Sequence, residues 1–171
     1  AKDFADVIAL NFPEVDKIAS YPNAEESRNI DIYILLNDDA ELSEDIKNDI
    51  NDLFDENKGG RKIVGAGDIN LHPAVKVPIN LTVTLAVKDR YSFEKVKSQV
   101  TAFIQHYFAV GNRDFDTEFI PTSLCADIMN PENMIEGVKF VRVTSPSADS
   151  IPVNNGEIHT LATLTFVNGG A

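Results

Sequence analysis

Thirteen consecutive residues in the middle of the chain alternate between apolar and polar side chains. From Val75 to Val87 every second residue is Val, Ile or Leu, and most residues between them are polar. Strict alternation predicts a β-strand with one buried face. Such a strand would be about 43 Å long, whereas a compact chain of 171 residues is about 40 Å across. We therefore expect it to bend, change partners or follow a sheet edge near Pro78, which cannot donate a ladder hydrogen bond.

A helical pattern follows this strand. Apolar residues recur at helical spacing after Ser92 and stop before Gly111, which predicts a helix over residues 92–110. Its stripe consists of Phe93, Val96, Val100, Phe103, Ile104, Tyr107 and Phe108. A stripe this aromatic is typical of core packing, so we expect the helix to brace the second half of the chain.

The other segments mix helices with neighbouring strands. Before residue 74 the patterns predict helix-strand-strand-helix-strand, and after it strand-helix-helix-strand-strand. This order favours an α+β fold with mixed or antiparallel sheets and helices packed on them. It also predicts two lobes, residues 1–73 and 74–171. The expected helices are at 1–12, from the Ser43 cap through the stripe ending at Phe54 and stopping at Gly59-Gly60, and from Pro121. The expected strands are at 15–21, 30–36, 63–71, 138–144 and 158–167.

Composition excludes several classes of protein. The chain has 27 acidic and 15 basic residues, a net charge of −12, which argues against nucleic acid as a partner and against docking on an anionic membrane. No apolar run approaches the roughly 20 residues that span a bilayer, so we expect no membrane insertion. The single cysteine, Cys125, cannot form an intrachain disulfide. Because the chain begins at Ala1 and its first methionine is Met129, we expect a piece of a longer protein; the alternative is that an initiator methionine has been removed.

No motif predicts catalysis, a metal or a cofactor. Nine acids lie in residues 37–57, but a calcium loop aligned on Asp38 would have Ser43 at its glycine position and Asp49 at its glutamate position. We interpret this run as a solvated helix face. The glycine-rich residues 59–67 lack the Gly-Lys-Ser/Thr ending of a phosphate loop, so a turn and bulge is expected.

The remaining reactive side chains are isolated in the sequence. His72, His106 and His159 lack metal-ligand spacing, and each is interpreted as structural or incidental. His72 precedes Pro73, so we expect it in a loop. Cys125 lies among apolar helix residues, which favours a buried, inert thiol. We therefore expect no catalytic residues, no metal, no cofactor and no enzyme activity.

Four stretches of the chain occur in an order and spacing that match a known pattern. Residues 6–15 form an opening helix and turn, with Glu14 where that pattern usually has glycine. Residues 32–35 with the acidic helix after Ser43 match its next strand and helix. Residues 61–68 with Val77-Pro78-Ile79 match its glycine turn and long strand, and residues 137–146 with 156–166 match its final strands. Together they resemble the C-terminal part of the baseplate J-like family, the baseplate wedge proteins of contractile-tailed bacteriophages and related injection machines.

The resemblance implies a structural virion protein. Its partners would be copies of itself and other baseplate or tail proteins, and it would help the baseplate change shape when the tail contracts. Its place would be the tail baseplate of the virion, and the host cytoplasm during assembly. The family has no catalytic residues to transfer to this chain. The alternative is a small-molecule-binding or enzymatic domain with a ligand between two lobes.

The long strand supplies the candidate subunit interface. Val75, Lys76, Val77 and Pro78 begin a strand that is too long for one lobe, and Lys and Pro are typical of protected sheet edges. We expect this segment, with loop 145–155, to lie near contacts between subunits in a homo-oligomer. The alternative is that the segment bridges the two lobes of one chain.

Overall fold

The computed structural model describes residues 2–26, 28–60 and 67–170. These residues form four α-helices and six β-strands. The helices are α1 (Lys2–Asn11), α2 (Glu44–Asp52), α3 (Phe93–Tyr107) and α4 (Pro121–Met129). The strands are β1 (Val15–Pro22), β2 (Ile30–Leu36), β3 (Ile69–Pro73), β4 (Val75–Val87), β5 (Val138–Ser145) and β6 (Glu157–Asn168). This is the predicted α+β fold, with the predicted order of elements.

The described residues divide into two compact units, neither of which is one continuous stretch. The first comprises Ala1–Val75 with Asp114–Asp116 and Asn154–Glu157. The second comprises Lys76–Arg113, Thr117–Val153 and Ile158–Ala171. Two short segments from the second half of the sequence therefore belong to the first unit.

The first unit is built on a three-stranded mixed sheet. Its order is β1-β2-β3, with β1 antiparallel and β3 parallel to the central strand. The parallel pairing of β2 and β3 is possible because α2 lies between them in the sequence. Phe4 and Ile8 of α1 and Ile50 of α2 pack with the buried residues of β2 in one apolar cluster.

The acidic helix begins at the predicted residue. The hydroxyl of Ser43 accepts a hydrogen bond from the backbone N–H of Ile46 at 3.4 Å, which satisfies one of the free donors at the helix start. The helix ends at Asp52, earlier than the stripe through Phe54 predicted, and a 3-10 turn (Glu56–Lys58) follows. The turn and bulge predicted over residues 59–67 and the start of the predicted strand 63–71 include residues 61–66, which lie outside the described residues.

The second unit is built on a sheet of order β5-β4-β6, so β4 is its central strand. Alternation along β4 is confirmed from Ile79 onward, where Ile79, Leu81, Val83, Leu85 and Val87 are all buried. Pairing with antiparallel β5 begins at Thr82 and continues to Val87. We expected this strand to bend, change partners or follow a sheet edge near Pro78. In the structure only its second half pairs with β5.

Helices α3 and α4 cover the inner face of this sheet. Val96, Val100 and Ile104 of α3 and Leu124 and Ile128 of α4 are buried with the inward residues of β4 and β5. The predicted stripe is confirmed, but Phe103 is only partly buried against the core. Phe119, which the patterns did not single out, is fully buried, with its ring centroid 5.1 Å from that of Phe108. None of the described helices is long and apolar enough to cross a bilayer.

Candidate interaction surface

The predicted interface segment forms the start of β4. Val75, Lys76 and Pro78 are exposed, and Val77 is half-buried. The backbone N–H of Val75 donates to the carbonyl oxygen of Gly156 at 2.9 Å, within the first unit. The division between the units falls after Val75. The segment is accessible enough for a contact between subunits, and both interpretations, interface and bridge, stay predictions.

Loop 145–155 is largely exposed but is held at one point. Ile151 forms an antiparallel bridge with Phe119 through two backbone hydrogen bonds of 2.9 and 2.8 Å. The carbonyl oxygen of Ile151 also lies 3.0 Å from Nε2 of His159, a buried side chain on β6. The middle of the loop is therefore tied to the core of the second unit, while the residues around it are free to contact other molecules.

A polar cluster occupies one face of the first sheet. The carboxylate of Asp31 accepts hydrogen bonds from the side-chain amides of Asn23 at 3.0 Å and Asn70 at 2.9 Å, and Nε2 of His72 lies 3.4 Å away. Partial burial pushes the pKa of Asp31 upward, but these hydrogen bonds outweigh it and lower the pKa. His72, expected in a loop, lies on β3 and stacks on Tyr33 with ring centroids 5.0 Å apart.

Residues far along the sequence join this face. The hydroxyl of Tyr21 donates to the carboxylate of Asp116 at 2.6 Å, and Nζ of Lys17 lies 2.5 Å from Oδ1 of Asp114. Burial and the hydrogen bond to the Asp116 carboxylate raise the pKa of Tyr21 to about 12. Burial favours the neutral phenol because it disfavours a charge. The neighbouring Asp116 carboxylate also favours it, because ionisation of Tyr21 would place two negative charges side by side.

Gly156 completes the face at a position where only glycine fits. Its φ is +75°, a region that side chains disfavour. A Cβ atom there would lie 2.2 Å from the ring of Tyr33. The turn at Asn155-Gly156 thus brings the backbone directly against the sheet.

Sequence reasoning missed most of this face. Asp114 and Asp116 lie 97 and 95 residues from Lys17 and Tyr21, and nothing in the local pattern marks the pairs. Arg113 was also missed, although its contacts are local. It is buried, donates from Nη2 to the carbonyl oxygens of Thr117 and Glu118 at 3.1 Å, and lies over the ring of Tyr107 at 4.9 Å. A basic residue shortly before Asp114 and Asp116 in a loop was the only available signal.

Each unit has an open groove whose lining side chains bear on the enzymatic alternative. A groove of about 710 Å³ in the first unit contains Asp49 and Asp52, but Asp52 pairs with Lys58 at 2.6 Å. A groove of about 620 Å³ in the second unit lies between α3 and β6 and has no acidic lining residue. Neither groove contains a histidine, and no metal-binding group of three or more ligands occurs in the described parts of the chain. These grooves do not combine the acids and histidine that the enzymatic alternative requires.

The isolated reactive residues are placed as follows. His106 is exposed, His159 is fully buried, and Cys125 is half-buried. Burial raises the pKa of the Cys125 thiol, so the neutral thiol is favoured over the nucleophilic thiolate. The thiol expected to be buried is thus half-buried, and its inert role stays a prediction.

Charge divides unevenly between the units. The residues of the first unit include 20 acids and 7 bases, a formal charge of −13. Those of the second include 7 acids and 8 bases, a formal charge of +1, which together give the net −12 of the chain. The acidity inferred from composition therefore belongs to one unit alone.

Comparison with known proteins gives a fold relationship. No protein-family model matches the sequence, and no curated protein matches it. The structure is similar to a chain in the cryo-EM structure of the anti-feeding prophage (AFP) baseplate, six-fold symmetrised, with a TM-score of 0.61 and 12% sequence identity. The match covers 94% of this chain and 36% of that chain. The expectation of a fold found in contractile-particle baseplates is confirmed, while membership of the baseplate J-like family stays a prediction.

Proposed function

We propose that this chain is a structural component of the baseplate wedge in a contractile phage-type tail. It works through protein–protein contacts rather than catalysis, and it supports the change in baseplate shape on contraction. The single observation that carries this proposal is the structural likeness to a baseplate chain over 94% of this chain. The four sequence stretches that resemble the baseplate J-like family support the same role independently of the structure.

The proposed partners are copies of this chain and other baseplate or tail proteins. The chain spans 36% of the length of the similar baseplate chain, so contacts made by the remainder of such a protein would add to those described. The proposed location is the tail baseplate of the particle, with assembly in the host cytoplasm. No cofactor, metal or nucleic acid is part of the proposal.

The particle itself provides the test. We would delete the gene region that encodes this chain in a strain that makes the particles, and purify tail particles from the deletion and parent strains. We expect the parent particles to contain the chain by mass spectrometry and the deletion strain to yield no complete sheathed tails by electron microscopy. Complete, contracting tails without the chain would overturn the proposal.

A single substitution tests the proposed interface segment. Val77→Asp places a carboxylate in the exposed start of β4, where Val77 is half-buried. If residues 75–78 contact another subunit, sedimentation will show weaker oligomerisation and circular dichroism will show an unchanged fold. Unfolding of the monomer would instead support a bridge within one chain. Wild-type behaviour in both assays would remove the segment from either role.

A further inference from the structure

The outer face of the second sheet differs in chemistry from the rest of the molecule. We define this outer face as the alternate residues within 80–86, 140–144 and 163–167, which point away from α3 and α4. It contains five threonines, one each of asparagine, alanine, phenylalanine and valine, and Arg142. Although the chain has 27 acids, not one lies on this face. The described residues provide no ion-pair partner for Arg142.

The centre of the outer face has the composition of a contact surface. Phe140 lies directly across the strand pair from Ala86, and Arg142 lies across from Thr84. Phe140 is 48% exposed and Val167 is 47% exposed. Exposed aromatic and arginine side chains are enriched in protein interfaces, where Asp, Glu and Lys are depleted. Beside the face, Lys88 and Lys139 are exposed, and so are Asp89 and Glu136.

The same chain carries a surface of opposite charge. The segment from Asp38 through α2 exposes Asp38, Glu41, Glu44, Asp45 and Asp49. Glu44 pairs with Lys47 at 2.7 Å. Glu41 is an exposed carboxylate with no ion-pair partner among the described residues. Asp49 is exposed, and the nearest basic group that acts on it is Lys58, which is itself paired with Asp52. We call this segment the acidic surface. It belongs to the unit whose formal charge is −13.

We propose that the outer face of one copy binds the acidic surface of a second copy. Charge complementarity selects this occupant, because pairing two outer faces would set the unpaired Arg142 of one copy against the Arg142 of the other. The contact is heterologous, so each copy has one outer face and one acidic surface for different neighbours. This inference rests on one part of the proposed function, the partnership between copies of this chain, and adds which two surfaces meet.

Salt dependence and charge reversal test this pairing. Sedimentation velocity would follow the wild type over a concentration series at about 0.1 M and about 1 M salt, where the screening length falls from roughly 10 Å to 3 Å. We expect reversible association at the lower salt and its loss at the higher. Arg142→Glu and the double variant Glu41→Lys/Asp49→Lys should each weaken association at least tenfold. Lys95→Glu makes the same charge change as Arg142→Glu at an exposed site on α3 and should associate as the wild type does.

Mixing the two defective variants provides the decisive step. Each variant keeps one surface intact, and the reversed charges are complementary, so the mixture should regain association that neither variant shows alone. A mixture that stays monomeric, a wild type that is monomeric throughout, or association that strengthens with salt would overturn the pairing. Circular dichroism of every variant checks the fold. Loss of this pairing would leave the particle experiment unaffected, so the two proposals fail separately.

Discussion

The two units share a plan but differ in how they are stabilised. Each places two helices on a three-stranded sheet. The second unit has 15 buried residues in its described apolar cluster, against 8 in the first. The first instead has a polar sheet face tied by Asp31, Asp114 and Asp116. Apolar burial is therefore the main stabilising interaction in the second unit. In the first unit a smaller apolar core is supplemented by polar contacts on the sheet face.

The charge difference follows the same division. The first unit has a formal charge of −13 and the second of +1. Self-repulsion of like charges opposes compaction, so the smaller core of the first unit works against a larger electrostatic cost. The predictions below separate apolar from polar stabilisation, and they run from the largest expected effect to the smallest.

The core of the second unit should show the largest loss. Phe119→Ala should destabilise the protein by about 3–5 kcal/mol, because the ring is fully buried and its removal leaves a cavity. Phe103→Ala is the matched control. It should cost roughly half as much, since Phe103 is only partly buried. Denaturant unfolding followed by circular dichroism measures both. Costs below about 1 kcal/mol for both variants would show that the core lies elsewhere.

The polar face of the first unit should show a smaller, pH-linked effect. Tyr21→Phe removes the hydrogen bond to Asp116 and should cost about 1–2 kcal/mol, a value reduced for partial exposure. The matched change in the second unit, Tyr91→Phe, affects a 43% exposed side chain and should cost little.

Titration of the same tyrosine gives a second measurement. The pKa of Tyr21 is raised to about 12, so the stability it contributes is fully present below about pH 10 and is lost as pH rises toward 12. Ultraviolet absorbance should show one of the 4 tyrosines ionising late. This late step should vanish in Tyr21→Phe and persist in Tyr91→Phe. A wild type without a late step would contradict the environment described for Tyr21.

Helix starts offer a direct comparison of the units. Ser43 accepts a hydrogen bond from the Ile46 N–H, whereas the side chain of Ser92 makes no such bond at the start of α3. Ser43→Ala should therefore cost about 0.5–1 kcal/mol, and Ser92→Ala should cost clearly less. Equal losses in denaturant unfolding would show that the cap does not distinguish the two helices.

The smallest effect is expected at Asp31. Its pKa is lowered in the folded state, so its stabilising contribution is present above the unfolded pKa of about 4 and is lost as pH falls below it. The difference in unfolding free energy between wild type and Asp31→Asn should shrink steadily as pH falls through this range. A difference that is constant from neutral to acidic pH would rule out the carboxylate as its cause.

Local patterns predicted the elements because their causes are local. Alternation over residues 75–87, the stripe after Ser92, and Pro121 at a helix start each depend on neighbours within a few residues. The structure has elements at each of these places. The end of α2 was placed too late because Leu53 and Phe54 continue the apolar spacing, yet the chain turns after Asp52. His72 was placed in a loop because Pro73 follows it, although parallel pairing with β2 holds it in a strand.

The sequence by itself determined the fold class, the order of elements and the net charge. It also placed the strand whose start is the proposed interface. Only the tertiary structure decided that Asp116 meets Tyr21, that Gly156 lies against Tyr33, and that the outer face of the second sheet contains no acid. These features join residues far apart in the chain, and no local periodicity encodes such pairs. Packing within each core brings such distant residues together, because the apolar faces of a unit are buried only when all of its segments are in place.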